Sequence, residues 1–424
     1  MRPLLLFVMP AVLAAEVHSF TLRQAADLAL KQNPDVLLAR LEEHKAAQQV
    51  QVARDPFFPK LYVGSGLAYS SGFPMSIEGA APAVVQAKAV ASVYDRQQKY
   101  RVAQARQDHR TSQIESQVRT EEAVFRTVEL FLEAERRGRL VEMARRQIES
   151  AEKMESVVKA RVEEGRQLPS EARRAALEVA KAKHRVLEIE TERDHAEAVL
   201  AAALGLAPGD RVRPVGEERA APELPSTAEA AVQRALQGSR ELSRLESALL
   251  AKGLEIRAEK SARLPRLDLV AQYGLFAKFN NYEDFFQRFQ RNNGQLGVSL
   301  QIPLLFGPTV NATVAHTEAE AARLRVEVNT TRSRLTTEAE KRFADLRRAE
   351  SARQVGRLAL DVAREDLSVA LARFDEGRAT LKEVEEARMA EHERWIAYYD
   401  AQSQLERARY ALIEKTGGLL AALR

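Results

Sequence analysis

Cysteine is absent from this sequence. That excludes disulfides, thiolate metal sites, cysteine nucleophiles and acylation of an N-terminal cysteine. Aromatic residues make up only 6% of the 424 positions, and tryptophan occurs once, so large compact cores are not expected. No apolar run reaches the ~18 residues of a membrane-spanning helix. Neither sign of charge prevails: 64 Lys and Arg stand against 60 Asp and Glu, for a net charge of +4. The two signs are interleaved, so solvated helix faces explain them and no basic stripe marks a nucleic-acid partner. The seven histidines, His18, His44, His109, His184, His195, His316 and His392, lack the paired spacing of metal ligands. No nucleophile–base pair stands out either, so neither catalysis nor a cofactor is expected.

What is present is Ala, Arg, Glu and Leu in abundance, the composition of long helices and coiled coils. At 45% hydrophobic the chain is too apolar for disorder. Its start runs Arg2, then Leu4-Leu5-Leu6-Phe7-Val8-Met9, Pro10 and small residues to Ala15. A charged start, a short apolar run and small residues read as a secretory signal peptide over 1–15, cut near Ala14 or Ala15. A buried N-terminal helix is the plainer alternative.

The chain repeats itself. Residues 21–66 lie on 227–272 without a gap, at an offset of 206. Ala25 falls on Ala231, Ala29 on Ala235, Leu30 on Leu236, Pro59 on Pro265 and Leu61 on Leu267. A later block repeats at 212: Ala160-Arg161 falls on Ala372-Arg373, Gly165 on Gly377 and Gly205 on Gly417. A two-fold duplication divides the chain into a first repeat over 16–205, a Pro- and Gly-rich linker over 206–226 and a second repeat over 227–424.

Each half opens with a short helix (22–31 and 227–236) and a second amphipathic helix ending near Asp55 or Ala262. Prolines follow, Pro56 and Pro59 in one half and Pro265 in the other, where a helix must stop. The period then changes to two. Leu61, Val63, Leu67 and Tyr69 alternate with Tyr62, Gly64, Gly66 and Ala68; Leu267, Leu269, Ala271, Tyr273 and Leu275 do the same in the second half. Leu296, Val298, Leu300 and Ile302 form a fourth segment, and 84–93 its counterpart, although Gln86 and Lys88 interrupt the expected apolar face. Such alternation means strands with one apolar and one polar face. It suits a small antiparallel sheet packed on helices. It also suits a membrane barrel with the apolar face to lipid.

The helices favour the barrel. From 310 to 374 there is no proline and one glycine, Gly356. Leu324, Val328, Leu335, Phe343, Leu346, Val355, Leu358, Val362, Leu367, Leu371 and Phe374 recur at mostly three-, four- and seven-residue steps. At ~1.5 Å per residue such a helix is about 95 Å long. A matching one covers 96–162, and shorter return helices cover 168–203 and 381–415. Helices of this length must lie side by side, as in coiled coils. Four strands cannot close a conducting barrel, and an open edge is not tolerated in lipid, so several copies must join.

The block Ala372-Arg373-Phe374-Asp375-Glu376-Gly377-Arg378-Ala379-Thr380-Leu381-Lys382-Glu383-Val384, with Tyr399, Leu405, Ala408, Tyr410, Leu412 and Gly417 beyond it, resembles the C-terminal block of TolC-type outer-membrane efflux proteins. Residues 21–30, Asn33-Pro34, Pro59-Lys60-Leu61, Val93-Tyr94-Asp95 and Leu305-Phe306-Gly307 resemble other segments of that family. The resemblance covers essentially the whole chain after residue 15.

It implies a mainly α fold with long antiparallel coiled-coil helices forming an α-barrel. Four strands per protomer would enter a trimeric 12-stranded β-barrel in outer-membrane lipid, above a large periplasmic portion. A periplasmic adaptor and an inner-membrane pump would complete a tripartite efflux or type I secretion system, with the chain as a passive exit duct. The hairpin tips at Gly165, Arg166, Gly377 and Arg378 would receive the adaptor; as plain glycine caps they would only end a helix. Glu383, Glu386 and Glu171 would form the acidic constriction of the periplasmic entrance; as exposed helix glutamates they would do nothing special. The Tyr and Arg that tie some family entrances shut correspond here to Phe374 and Ala379, which cannot make those bonds, leaving Arg378 as the substitute. A soluble periplasmic coiled-coil adaptor is the rival reading, and the duplicated helix–strand pattern argues against it.

Overall fold

The structure is a computed structural model that describes residues 16–66, 83–216, 223–276, 287, 290–304 and 307–423. The expected signal peptide lies outside them, as do residues 71–82 and the aromatic residues within 278–293, which the sequence pattern places in loops between strands, and Leu67, Tyr69, Leu305 and Phe306.

Among the described residues the elements run β1 (Val17–Phe20), α1 (Leu22–Gln32), α2 (Pro34–Arg54), a 3-10 turn (Asp55–Phe57), β2 (Lys60–Gly66), β3 (Ala83–Tyr94), α3 (Arg96–Glu163), α4 (Pro169–Ala203) and β4 (Arg211–Pro214). Then follow α5 (Ala228–Gly238), α6 (Arg240–Ser261), β5 (Arg266–Phe276), β6 (Asn292–Gln301), α7 (Pro308–Asp375), α8 (Leu381–Lys415) and α9 (Leu419–Ala422). The two halves match in length as well as order. Helices α3 and α7 each have 68 residues, and α4 and α8 each have 35. At ~1.5 Å per residue the longer pair is about 100 Å long.

Contacts divide the chain into two compact units. The first holds the described residues up to Arg40 with Ser116–Arg240 and Thr331–Arg424. Its core gathers Leu22, Ala25 and Ala29 of α1, Val124, Val128 and Phe131 of α3, Leu200 and Leu204 at the end of α4, and Val212 of β4. A second cluster joins Ala231 of α5 to Leu346 and Ala349 of α7 and Leu405 and Leu412 of α8. The duplication is visible in backbone detail. Thr21 and Thr227 both cap their helices through the side chain. Gly205 and Gly417 both hold a left-handed backbone, φ +74° and +77°. An added Cβ would lie 2.6 Å from the Gln32 carbonyl oxygen in one case and 3.1 Å from that of Gly238 in the other. Gln32 and Gly238 are themselves related by the offset of 206.

Strands β1 and β4 pair in parallel, Val17 with Arg211 through Phe20 with Pro214. Sequence periodicity does not announce this pair, because four residues carry too little pattern. One further expectation is corrected. Of the apolar stripe on α7, Val328, Leu335, Leu346 and Phe374 are buried, whereas Val355, Leu358 and Val362 stay about 60% exposed. Ala349, Leu360 and Ala363 turn inward there instead, so the stripe is two faces rather than one.

The second unit holds Leu41–Glu115 and Glu241–Thr330. It carries a four-stranded antiparallel sheet in the order β2-β3-β5-β6. Its helical part is joined by polar contacts: Ser247 meets Gln107 Nε2 and Thr111 Oγ1, each at 2.8 Å. Lys252 bridges Glu255 and Glu320, both at 2.8 Å.

Candidate functional site

The two long hairpins turn in the same way. Gly165 and Gly377 both have φ +72°, a backbone region that L side chains avoid. After α3, Arg166 N donates to Arg161 O at 2.8 Å and Gly165 N to Val162 O at 3.0 Å. After α7, Arg378 N donates to Arg373 O at 2.7 Å and Gly377 N to Phe374 O at 3.0 Å. This paired closure satisfies the last helical carbonyls. Arg166 pairs with Glu164 and Arg378 with Glu376, each at 3.2 Å. The four tip residues are exposed.

Behind the tips the hairpins are clamped together. Phe374, 1% exposed, packs with Val158, Ala175, Leu381 and Val384, and Ala379 lies against this cluster. The Arg161 guanidinium stands 4.2 Å from the centre of the Phe374 ring. It also donates to Phe374 O at 3.2 Å and Asp375 Oδ1 at 3.3 Å. Within the protomer, the polar tie between hairpins next to the tips comes from Arg161, while Arg378 pairs with Glu376 of its own turn. In the sequence Arg161 stands out only as a marker of the repeat. Its further signal is an arginine one turn before the glycine, opposite an aromatic residue in the partner hairpin.

The expected acidic residues separate. Glu383 is the third residue of α8 and folds back on its cap: Thr380 N donates to it at 2.6 Å and Thr380 Oγ1 at 2.9 Å. The backbone bond from Thr380, then its hydroxyl, hold the Glu383 carboxyl below its usual range. Glu386 pairs with Lys382 at 3.6 Å, and Glu171 with Arg174 at 3.2 Å. Behind the tips, the charges of Glu178 and Glu171 act on Glu385. Burial, then the charges of Glu178 and Glu171, raise the Glu385 pKa against Arg388 and Arg174. Glu171 and Glu178 are seven apart and share a face of α4; that spacing is the clue the sequence offers.

The sheet sorts its residues by face. Val63, Ala87, Tyr273 and Gly294 oppose one another across the four strands, as do Leu61, Ala89, Ala271 and Leu296. The alternate rows are Tyr62, Lys88, Gln272 and Gln295, and Gly64, Gln86, Gly274 and Asn293. Gln86 and Lys88 thus belong to the polar face. The register of β3 shifts between Ala83 and Val85 and between Ser92 and Tyr94. Between these shifts the register runs unbroken from Val85 to Ser92; the alternation there is weak because the apolar face carries Ala87, Ala89 and Ala91 while Val90 stands among the polar-face residues. Leu61, Val63, Leu296 and Val298 are all more than 60% exposed. Strands β2 and β6 are the ends of the sheet, each with a neighbour on one side only.

Among the described residues no group of His, Asp or Glu is arranged to hold a metal ion, and no helix is long and apolar enough to cross a membrane.

The family model described as outer membrane efflux protein matches residues 25–206 and 231–418. The two matched segments coincide with the two repeats. No curated protein matches the chain. Among solved structures it is similar to CusC, studied for folding and transmembrane channel formation, with TM-score 0.79 and 14% identity over 94% of this chain and 92% of that one. It is similar to the outer membrane protein VceC of Vibrio cholerae, with TM-score 0.74 and 16% identity over 93% and 96%. It is also similar to the open state of the MtrE outer membrane channel of Neisseria gonorrhoeae, with TM-score 0.74 and 16% identity over 94% and 89%. At these identities the likeness is one of fold.

Proposed function

The chain belongs to the outer membrane efflux protein family, and from that premise we propose that it is one protomer of a trimeric exit duct, a passive conduit rather than an enzyme. The observation that carries this reading is the two-faced sheet with a free edge on β2 and on β6. Edge amides are not tolerated in hydrocarbon, and four strands enclose no lumen. Three copies, edge to edge, supply twelve strands and remove every edge. The apolar rows then face lipid, and the rows bearing Lys88, Gln272 and Gln295 face water. The exposed Val355, Leu358 and Val362 of α7 support the same conclusion, since a second copy would cover them.

The hairpin tips at Gly165, Arg166, Gly377 and Arg378 are the proposed docking points for a periplasmic adaptor, with an inner-membrane pump supplying the energy. They suit it because both present the same exposed turn and the same Glu–Arg pair. Glu383, Glu386 and Glu171, repeated about a three-fold axis, are the proposed acidic constriction; a ring of carboxylates in a narrow mouth favours cations.

Purified protein in detergent should run as a trimer by native mass spectrometry and conduct ions in planar bilayers. A monomer that stays soluble without detergent overturns the duct. Cation selectivity should fall in a Glu383→Gln, Glu386→Gln double variant, and unchanged selectivity removes the ring while leaving the duct intact.

A further inference from the structure

A cavity of about 110 Å³ lies between the return helices α4 and α8, with Gln147 and Ala151 of α3 on one side. His392 lines it, is 4% exposed and has no hydrogen-bond partner on either ring nitrogen. Buried polar atoms are almost always paired, so two unpaired nitrogens on one ring call for an occupant. Arg388, one turn earlier on α8, also lines the cavity; its Nε is buried and unpaired. Arg388 also borders a larger cavity of about 260 Å³ beside Trp395 and Tyr399. Arg185 of α4 stands at the exposed rim. Neither arginine has an ion pair within 4 Å among the described residues.

Glu178 and Glu385 line the cavity, and the charges of Glu385 and Glu391 act on Arg388 without forming an ion pair within 4 Å among the described residues. Glu178 is engaged by Lys181 at 2.7 Å. Burial, then the Glu178 charge, raise the Glu385 pKa. Beyond the Lys181–Glu178 pair, the charged lining is Arg388 and Arg185 against Glu385, with His392 beside them, around a space the size of a few waters. A cation is repelled there, and water could pair the ring without balancing the charge.

We propose that this cavity is a binding site for a small oxyanion, a phosphate or carboxylate group, held by Arg388, Arg185 and the ring N–H of His392. Guanidinium–oxyanion pairs are strong and directional. The bound group touches α4 and α8 together, so occupancy fastens the two return helices to each other. The inference is independent of the conduit reading.

The test uses the intact protein in detergent with ¹³C-labelled histidine. The His392 signal is identified as the one missing in His392→Gln. Burial, then the Arg185 charge, set the His392 pKa at about 4 without ligand. Inorganic phosphate, at ionic strength matched with sodium chloride, should move the His392 signal saturably and raise its proton affinity about threefold or more. The other six histidines should not follow. Acetate, titrated separately at pH 6.5, decides by relative affinity between a phosphate and a carboxylate group. Arg388→Gln should weaken phosphate binding about tenfold or more. Arg185→Gln, at the rim and safe for folding, should do so too. The proposal is overturned if neither anion gives a saturable His392 response at ~50 mM, well past a millimolar Kd. It is equally overturned if all seven signals move together, or if binding is unchanged in Arg185→Gln.

Discussion

Gly377 and Gly356 lie 21 residues apart in sequence but answer to different physics. An alanine at Gly377 meets nothing within 4 Å, yet its φ of +72° puts the whole cost in the backbone. Gly377→Ala should lower stability by about 1–2 kcal/mol, read as a drop in Tm. Gly356 sits inside α7, where an added Cβ would rest 3.6 Å from Tyr398 Cα and 3.8 Å from Ala401 Cβ. Both are ordinary contacts, so Gly356→Ala should raise stability by up to ~1 kcal/mol through helix propensity. Phe374 carries more weight. Phe374→Ala opens the apolar clamp behind the tips and should cost about 3–5 kcal/mol, whereas Phe374→Leu should cost much less. At this scale the repeat alone marks Gly165 and Gly377 as equivalent turns. The repeat also marks Arg161, but not its role, because its partners lie 213 and 214 residues away and no local pattern encodes a contact across two hairpins.

Helices α3 and α8 are joined by a charge network in which Glu133 is the hub. Arg136 Nη2 lies 2.7 Å and Arg137 Nε 2.8 Å from its carboxylate, and Arg407 of α8 completes the set. Burial opposes the charged form, but the Arg136 and Arg137 hydrogen bonds and the Arg136 and Arg407 charges prevail and hold Glu133 at about 2, down from 4.5. A carboxyl with a depressed folded pKa stabilises fully above its unfolded pKa and loses that contribution as pH falls toward the folded one. The Tm advantage of wild type over Glu133→Gln should therefore be full at pH 6, shrink below pH 4.5 and vanish near pH 2. It is worth at most ~3 kcal/mol. Thr380→Ala tests a different element end: losing the cap of α8 should cost about 1 kcal/mol, and because the backbone N–H at 380 still donates to Glu383 while the hydroxyl bond is lost, the Glu383 pKa should rise only part of the way back. The long helices are readable in the sequence because several turns of apolar spacing outvote any single residue. The β1–β4 pair is not, since each strand is four residues and its partner is nearly half the chain away.

At the level of the assembled duct, adjacent residues of one strand should behave in opposite ways. Val298 opposes Leu269 on the apolar face, and Ser299 opposes Asp268 on the polar face. Val298→Arg should cost about 2–4 kcal/mol if it meets the bilayer midplane and reduce recovery of trimer in outer-membrane fractions. Ser299→Arg should leave trimer recovery near wild type and lower single-channel conductance. Equal behaviour of the two variants contradicts the assignment of faces.

The sequence by itself determined the duplication, the pairs of long and short helices and the strand segments. All of these are written in periodicity, and periodicity survives without knowledge of neighbours. Only the tertiary structure decided the phase of β3, because small alanines on one face and Val90 on the other leave it to the pairing with β2 and β5. It alone put Glu383 on a helix cap, gathered Glu171, Glu178 and Glu385, and left His392 and Arg388 unpaired in one cavity. Such outcomes depend on which helices meet and at what rotation. A few degrees of helix rotation exchanges a paired charge for a buried one, and no local pattern records it.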